Sequence, residues 1–289
     1  MTDVTDLAPD RLELGEGSRW VADRVVLVDI PAGRLLSAPA TKADTGPLTE
    51  LAKLSVPLAA VAPIAGQPGT WLAAAGTGFA VIDEKSGEVS WLAAPEPVTD
   101  RAWRMNDAVA DRAGRFWAGS MNCDQSPRGG ALYRLDPDGS VHTVLQDLTI
   151  ANGPAFSLDG RVMYLSDTPL GHVDRFDVDP ATGELSNRQP FARIGPEHGA
   201  PDGLTVDAED HLWMALFGGA AIRRYRPDGT LDRVVPVPAR QPTSVCLAGD
   251  RAVVTSSQEG LTDPGPHDGA VLVLQAGTTG VEALPARRD

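Results

Sequence analysis

One short pattern recurs along this chain at intervals of roughly 45 residues, and few folds tolerate such a period. The pattern is a polar pair, a short apolar alternation, a tight turn and a second apolar run. Its clearest copy is Arg104 to Met121, which turns through Asp111-Arg112-Ala113-Gly114. With Gly114 as the reference, equivalent turn positions fall at Asp23, Gly69, Gly160, Asp210 and Asp250. The steps between successive positions are 46, 45, 46, 50 and 40 residues.

After most of these turns comes a second hairpin. Ala131–Leu135 reverses at Asp138-Gly139 into Val141–Leu145, and Ile222–Tyr225 reverses at Asp228-Gly229 into Leu231–Val235. Asp-Gly between alternating runs is a strong hairpin signal, because the turn needs residues that tolerate positive φ. Looser versions stand at Ser86-Gly87 and Thr182-Gly183, and the first unit, from Asp23 to about Leu54, has the poorest signal. Each unit therefore holds about four strands. Six such units predict an all-β, six-bladed β-propeller with four-stranded blades around a central channel, spanning 1–289 as one domain. A sandwich or solenoid would not need four strands per period. An open ring leaves bare strand edges, and Leu7 to Leu14 is expected to supply the strand that closes the last blade.

Sustained apolar spacing of the helical kind is missing, and 30 glycines with 24 prolines and no collagen-like period agree with a turn-rich β protein. The net charge of −14 disfavours nucleic acid and anionic membrane surfaces as partners. The acidic amino terminus does not read as a signal peptide, and no run reaches the roughly 20 apolar residues of a membrane span. Cys123 and Cys246 read as two reduced thiols, so a cytoplasmic location is expected.

In a propeller the first strand of each blade lines the channel, and its leading residues face one another. Eight residues before each turn position stand Gly15, Val61, Asn106, Asn152, Asp202 and Pro242, with Glu16 one residue beyond Gly15. Any one Asn-Gly or Asp-Gly pair is ordinary turn chemistry. Recurrence in register at a channel mouth points instead to a shared site. Glu16, Asn152 and Asp202, with Asn106 near, offer only oxygen donors. Such donors suit hard cations such as calcium, magnesium or manganese, and carboxylates also bind zinc. His142, His172, His198, His211 and His267 show no metal-ligand spacing, His198 alone lying just before a mouth residue.

Four segments carry a resemblance: Leu14-Gly15-Glu16-Gly17-Ser18-Arg19-Trp20, Arg104-Met105-Asn106-Asp107, Ala151-Asn152-Gly153 and Pro201-Asp202-Gly203. Together, in this order from about Leu14 to Ser256, the chain resembles the gluconolactonase, regucalcin (senescence marker protein) and luciferin-regenerating-enzyme family. The resemblance implies a six-bladed propeller with one divalent cation in the channel and hydrolysis of a sugar lactone. It implies that Glu16, Asn152 and Asp202 are the metal ligands, with Asp202 also handling protons. It further implies that Arg104, Asn106 and Asp124 contact substrate. Asp124 stands where regucalcin-like members carry Glu, and Asp107-Ala108 replaces the usual Asp-Gly. Asp107 is placed beside the site and not in the ligand set.

Other readings of the residues are weaker. Gly76-Thr77-Gly78 lacks the third glycine and the helix of a nucleotide-binding loop, and no Gly-x-Ser-x-Gly elbow is present. Met121 to Gly130 is a polar stretch long enough to reach over the mouth, as a lid or a plain loop. Trp71, Trp117 and Trp213 follow turn positions and are expected to pack blades. Hydrolysis of another activated ester or phosphoester, and calcium binding without catalysis, are the alternative functions.

Overall fold

The computed structural model describes residues 4–40 and 46–289. Strand β1 (Thr5–Asp6) precedes the first blade, which is built from β2 (Gly15–Val21), β3 (Arg24–Asp29), β4 (Arg34–Pro39) and β5 (Thr49–Lys53). The second blade follows with β6 (Leu58–Ile64), β7 (Gln67–Ala75), β8 (Gly78–Asp83) and β9 (Val89–Ala93). The third has β10 (Trp103–Ala110), β11 (Phe116–Asn122), β12 (Gly130–Leu135) and β13 (Val141–Leu148). The fourth has β14 (Ala151–Phe156), β15 (Val162–Asp167), β16 (His172–Val178) and β17 (Leu185–Arg193). The fifth has β18 (Ala200–Val206), β19 (Leu212–Phe217), β20 (Ala221–Tyr225) and β21 (Leu231–Pro236). The last has β22 (Pro242–Ala248), β23 (Arg251–Ser256) and β24 (Leu272–Gln275).

Six four-stranded antiparallel sheets result, each in sequence order except the last, whose order is β1-β24-β23-β22. This is the expected six-bladed propeller. The ring is closed by the amino terminus, but by Thr5–Asp6 on Leu272–Val273 and not by Leu7 to Leu14. Leu7 and Leu12 instead tuck into the seam between the last and first blades, where both are buried, and their amides bond to Val271 and Gly269. Two β residues suffice because the apolar residues behind them supply the burial.

The predicted hairpins form at Gly87, Gly139, Gly183 and Gly229, all with positive φ. The connection between β4 and β5 falls partly outside the described residues. Gly69 is not the turn of the second blade: Ala65-Gly66 turns there, and Gly69 lies in a bulge of β7 where Ile64 pairs with Gln67 but Pro63 with Trp71.

The hydrophobic core is divided into six clusters, one at each blade-to-blade seam. Trp71, Trp117 and Trp213 pack there as expected. Their indole N–H groups donate to Glu84, Asp111 and Asp207, and Arg24, Arg134 and Arg224 lie over the rings. Because burial is satisfied in the seams, the axis itself is left free for polar side chains.

At the lower end of the axis the chain's last residues form a strap. Thr279 and Gly280 bond to Ala208 and Gly249, Ala283 to Trp20, Ala286 to Pro63 and Ala65, Arg287 to Gly114 and Asp289 to Pro137. Five blades are thereby tied to one segment. Val281 to Leu284 cross the lower mouth and, with Arg19, Val109, Leu204 and Cys246, line a hollow of about 100 Å³.

Candidate active site

Each of the six innermost strands carries a one-residue bulge at the same level. Two residues pass unpaired between Glu16 and Arg19, Met105 and Ala108, Asn152 and Ala155, Pro201 and Leu204, and Pro242 and Val245; in β6 the bulge lies between Leu58 and Ala60. A bulge breaks the strict alternation of side chains and re-aims them, here towards the axis. Gly17 and Gly153 occupy bulge positions with φ of 57° and 74°, a conformation glycine adopts without strain. Pairing aligns Glu16 with Asn152, and Asn106 with Asp202 one residue later. The count from the turns had put Asn106, Asn152 and Asp202 in one register. It is off by one because β14 has two paired residues after its bulge, Ala155 and Phe156, where β10 and β18 have three.

Glu16, Asn106, Asn152 and Asp202 are all 5% exposed, and Asp107 is 2% exposed. Arg104, part-buried, donates from one nitrogen to Met105 O and to Asn106 Oδ1, both at 2.8 Å. Asn106 Nδ2 donates to Asn152 Oδ1 at 2.7 Å and to Ala151 O at 3.0 Å. Three of the predicted site residues are thus one hydrogen-bonded chain across two blades. Both amide protons of Asn106 are committed to the protein, leaving its Oδ1 with room for one further donor.

The electrostatics of the two carboxylates are those of charges with too little compensation. Burial, then Asp107, pushes Glu16 up to about 8; Arg19 and Arg104 act against this. Burial, then Glu16 and Asp107, holds Asp202 well above the ordinary carboxylate range, with Arg104 opposing. Burial also raises Asp107, although Arg19 bonds its Oδ1 at 2.9 Å. Asp107 Oδ2 is buried without a partner. Burial lowers Arg104, and Glu259, Cys123, Glu16 and Asp202 raise it in return. Among the described residues no group of three His, Cys, Asp or Glu forms a metal cluster. The candidate set is two carboxylates and an amide. Facing buried carboxylates, each unfavourable in its charged form, fit a positive charge between them.

Asp124 stands apart from this buried chain. It lies on the exposed loop after β11, where hydrogen bonds from the Ser126 side chain and amide, and then from Arg101 at 2.5 Å, lower it to about 2. The same loop is tied down by Asn122 to Ser126 and by Cys123 N to Ala102 O. His198 is exposed beside Glu197 at 3.4 Å and takes no part. Sequence reasoning missed Glu259, whose charge acts on Arg104 from a loop outside the repeat. It also missed Arg19, which pairs with Asp107 across the channel. A surface hollow of about 580 Å³ between the lower turns of the first two blades is separate from the site.

Residues 14–258 match the SMP-30/Gluconolactonase/LRE-like region. The chain belongs to this family. It is 35% identical to an L-arabinolactonase of Azospirillum brasilense, over 96% of this chain and 93% of that one. It is 34% identical to a pentonolactonase of Haloferax volcanii, over 96% of each. A solved calcium-binding regucalcin of Agrobacterium tumefaciens superposes with a TM-score of 0.88 at 26% identity, covering 99% of this chain and 97% of that one. Glu16, Arg104, Asn106, Asn152 and Asp202 all lie inside the matched region. Among the described residues no helix is long and apolar enough to cross a membrane.

Proposed function

We propose that the protein hydrolyses a sugar lactone at the axis of the propeller, with one divalent cation held by Glu16, Asn152 and Asp202. The observation that carries the reading is the buried cluster itself: two carboxylates, each unfavourable in its charged form, and an amide oxygen, with Arg104 and Asn106 alongside. The lactonase relatives support the substrate class. The calcium-binding neighbour supports the cation, and the oxygen donors equally suit manganese, magnesium or zinc. When bound, the cation supplies Lewis acidity for a lactone carbonyl and lowers the pKa of water.

The chain's own groups account for the rest. Arg104 has N–H groups beyond the one committed to Met105 and Asn106, and these donate to ring hydroxyls. Asn106 Oδ1 accepts from a hydroxyl with its remaining lone pair, so the ring is oriented by one donor and one acceptor. Asp202 takes a proton from the attacking water at its carboxylate oxygen. It then gives that proton to the ring oxygen as the acyl–oxygen bond breaks, which balances the hydrolysis. Such proton handling is worth about 10²–10⁴-fold. Substrate reaching the rim meets Asp124 as a pair with Arg101, not as a lone carboxylate. Two free cysteines, one exposed and one buried, agree with a reducing compartment and support a cytoplasmic location.

The test is hydrolysis of a panel of pentono- and hexonolactones by protein stripped with a chelator and then reloaded. Turnover is expected only after reloading, and Asp202→Ala is expected to abolish it. Turnover that survives both treatments refutes the proposal, and cation binding without turnover of any lactone or ester leaves a binding protein.

A further inference from the structure

We propose that Thr168 and Thr243 are positioning residues, clamping the carbonyl that precedes a ligand and so setting the spacing of the ligand set. The inference rests on the reading of Glu16, Asn152 and Asp202 as cation ligands. Each ligand stands on a different blade, and the six sheets share no backbone ladder with one another. The innermost strands therefore present one bare edge to the axis, and something other than sheet pairing must fix one strand against the next.

The same device recurs three times. Asn106 Nδ2, from the third blade, donates to Ala151 O, the carbonyl just before Asn152. Thr168 Oγ1, from the fourth blade, donates to Pro201 O at 2.8 Å, just before Asp202. Thr243 Oγ1, from the last blade, donates to Gly15 O, just before Glu16. In every case the donor comes from the preceding blade in the ring, and the acceptor is one residue ahead of the ligand.

Thr168 does more than clamp a carbonyl. Its single proton goes to Pro201 O, which can only accept, so its oxygen faces Asn152 Nδ2 as an acceptor at 2.9 Å. At the other end Arg104, which can only donate, fixes Asn106 Oδ1, so Asn106 Nδ2 meets Asn152 Oδ1. The polarity of the whole chain is thus set by groups that cannot reverse. A flipped Asn152 would oppose two NH2 groups on one side and lose its acceptor on the other. Thr168 holds the oxygen of Asn152, and not its nitrogen, next to the site.

Thr243 belongs to a hydroxyl cluster that grips both sides of Glu16. Thr255 Oγ1 lies 2.8 Å from Thr243 Oγ1 and 2.6 Å from Ser244 Oγ, and Ser244 Oγ meets Ser18 N at 3.0 Å and Ser18 Oγ at 2.9 Å. Thr243 and Thr255 are completely buried, and Ser18 and Ser244 are 1% exposed, so this cluster touches no substrate. Its contacts end on Gly15, just before Glu16, and on Ser18, two residues after it.

The experiment compares Thr168→Val, Thr243→Val, Thr168→Ser and Thr243→Ser in the full chain, using Mn²⁺ alone as probe and calorimetry as readout. Valine keeps the shape and removes the hydroxyl. Each valine variant is expected to weaken Mn²⁺ binding about 10–100-fold, as loss of outer partners does at metal sites. The serine variants should bind as the wild type does. A second measurement needs no metal: hydrogen exchange of the Asn152 side-chain amide should accelerate in Thr168→Val and stay slow in Thr243→Val and Thr168→Ser. Wild-type protein that binds no Mn²⁺ refutes the cation reading, and the clamp then stands or falls on the amide measurement. Wild-type Mn²⁺ affinity in both valine variants, or unchanged Asn152 exchange in Thr168→Val, overturns the clamp.

Discussion

Glu16→Gln should stabilise the metal-free protein, and only above a defined pH. Glutamine keeps the size of the side chain and an oxygen for the Gly17 N–H, which donates to Glu16 Oε2 at 2.8 Å. What it removes is a titration. Burial and Asp107 raise the folded-state value of Glu16 from the ordinary 4.5 to about 8. Between those values the folded chain binds this proton and the unfolded chain does not, so stability falls as pH rises. The favourable contribution is complete below about 4.5 and lost once pH passes through about 8. At about 1.4 kcal/mol for each pH unit, the ceiling on that loss is about 5 kcal/mol. At about 2 °C for each kcal/mol in a chain this long, it is about 10 °C in Tm. The assay is thermal unfolding in chelator across pH 4–9, with the variant's Tm compared to that of the wild type. The difference should be near zero at pH 4, grow in favour of the variant to about pH 8, and level off. The same variant should lose the rise in Tm that added Mn²⁺ gives the wild type. A variant less stable at every pH, or a difference independent of pH, would refute the argument that this carboxylate is destabilised for the sake of a cation.

Two further outcomes concern the frame around the site. Asp207 is completely buried and receives Trp213 Nε1, Arg224 Nε and the amides of Glu209 and His211, so Asp207→Ala strands several donors. Urea unfolding should show a loss of about 3–5 kcal/mol, and a loss below about 1 kcal/mol would contradict the role given to this carboxylate. Deleting residues 1–14 removes the closing strand and the buried Leu7 and Leu12, each worth about 1.5–3 kcal/mol. A marked fall in Tm is expected, and an unchanged Tm would mean that the ring is closed in some other way.

The repeat was legible because turn chemistry is local. Asp138-Gly139 and Asp228-Gly229 need no knowledge of the rest of the chain, and counting such signals gave the number of blades. The candidate cluster was legible to within one residue of register, because a polar side chain in an apolar strand stands out. The exact register was not, since it depends on bulges that pairing partners impose and on how many residues pair beyond each. Gly69 misled for the same reason: a glycine in a bulge and a glycine in a turn have the same sequence context. Thr168 and Ser244 carried no signal, Ser18 only its place in the Leu14 to Trp20 segment, and Thr243 only its register beside Pro242. Serine and threonine are ordinary strand residues, and only in the closed ring do the Thr168 and Thr243 hydroxyls meet the carbonyls of Pro201 and Gly15. Arg19 and Asp107 lie 88 positions apart, and only closure of the ring brings them together.

The strap has a consequence for how the axis is reached. A propeller channel has two mouths, and here the lower one is crossed by Val281 to Leu284, above which lie Arg19, Val109 and Cys246. Arg19 bonds Asp107 Oδ1 and Ala108 O from this side, and Asp107 raises both Glu16 and Asp202. The strap therefore shields the ion pair on which the charge balance of the site depends, and it leaves the upper mouth, with Arg104 and the loops carrying Cys123 and Glu259, as the way in. Backbone bonds of the strap contribute about 0.5–1.5 kcal/mol each, and fixing each of its residues costs about 1–2 kcal/mol, so its net effect on stability is expected to be small. Its effect on solvent access is not. A chain ending at Ala276 should stay folded, with hydrogen exchange accelerated at the amides of Arg19 and Ala108 but not at those of Asn152 or Asp202. Unchanged exchange at Arg19 and Ala108 would show that the blades close the lower mouth without the strap, and equal acceleration at all four would show that the strap holds the ring together and does not cap it.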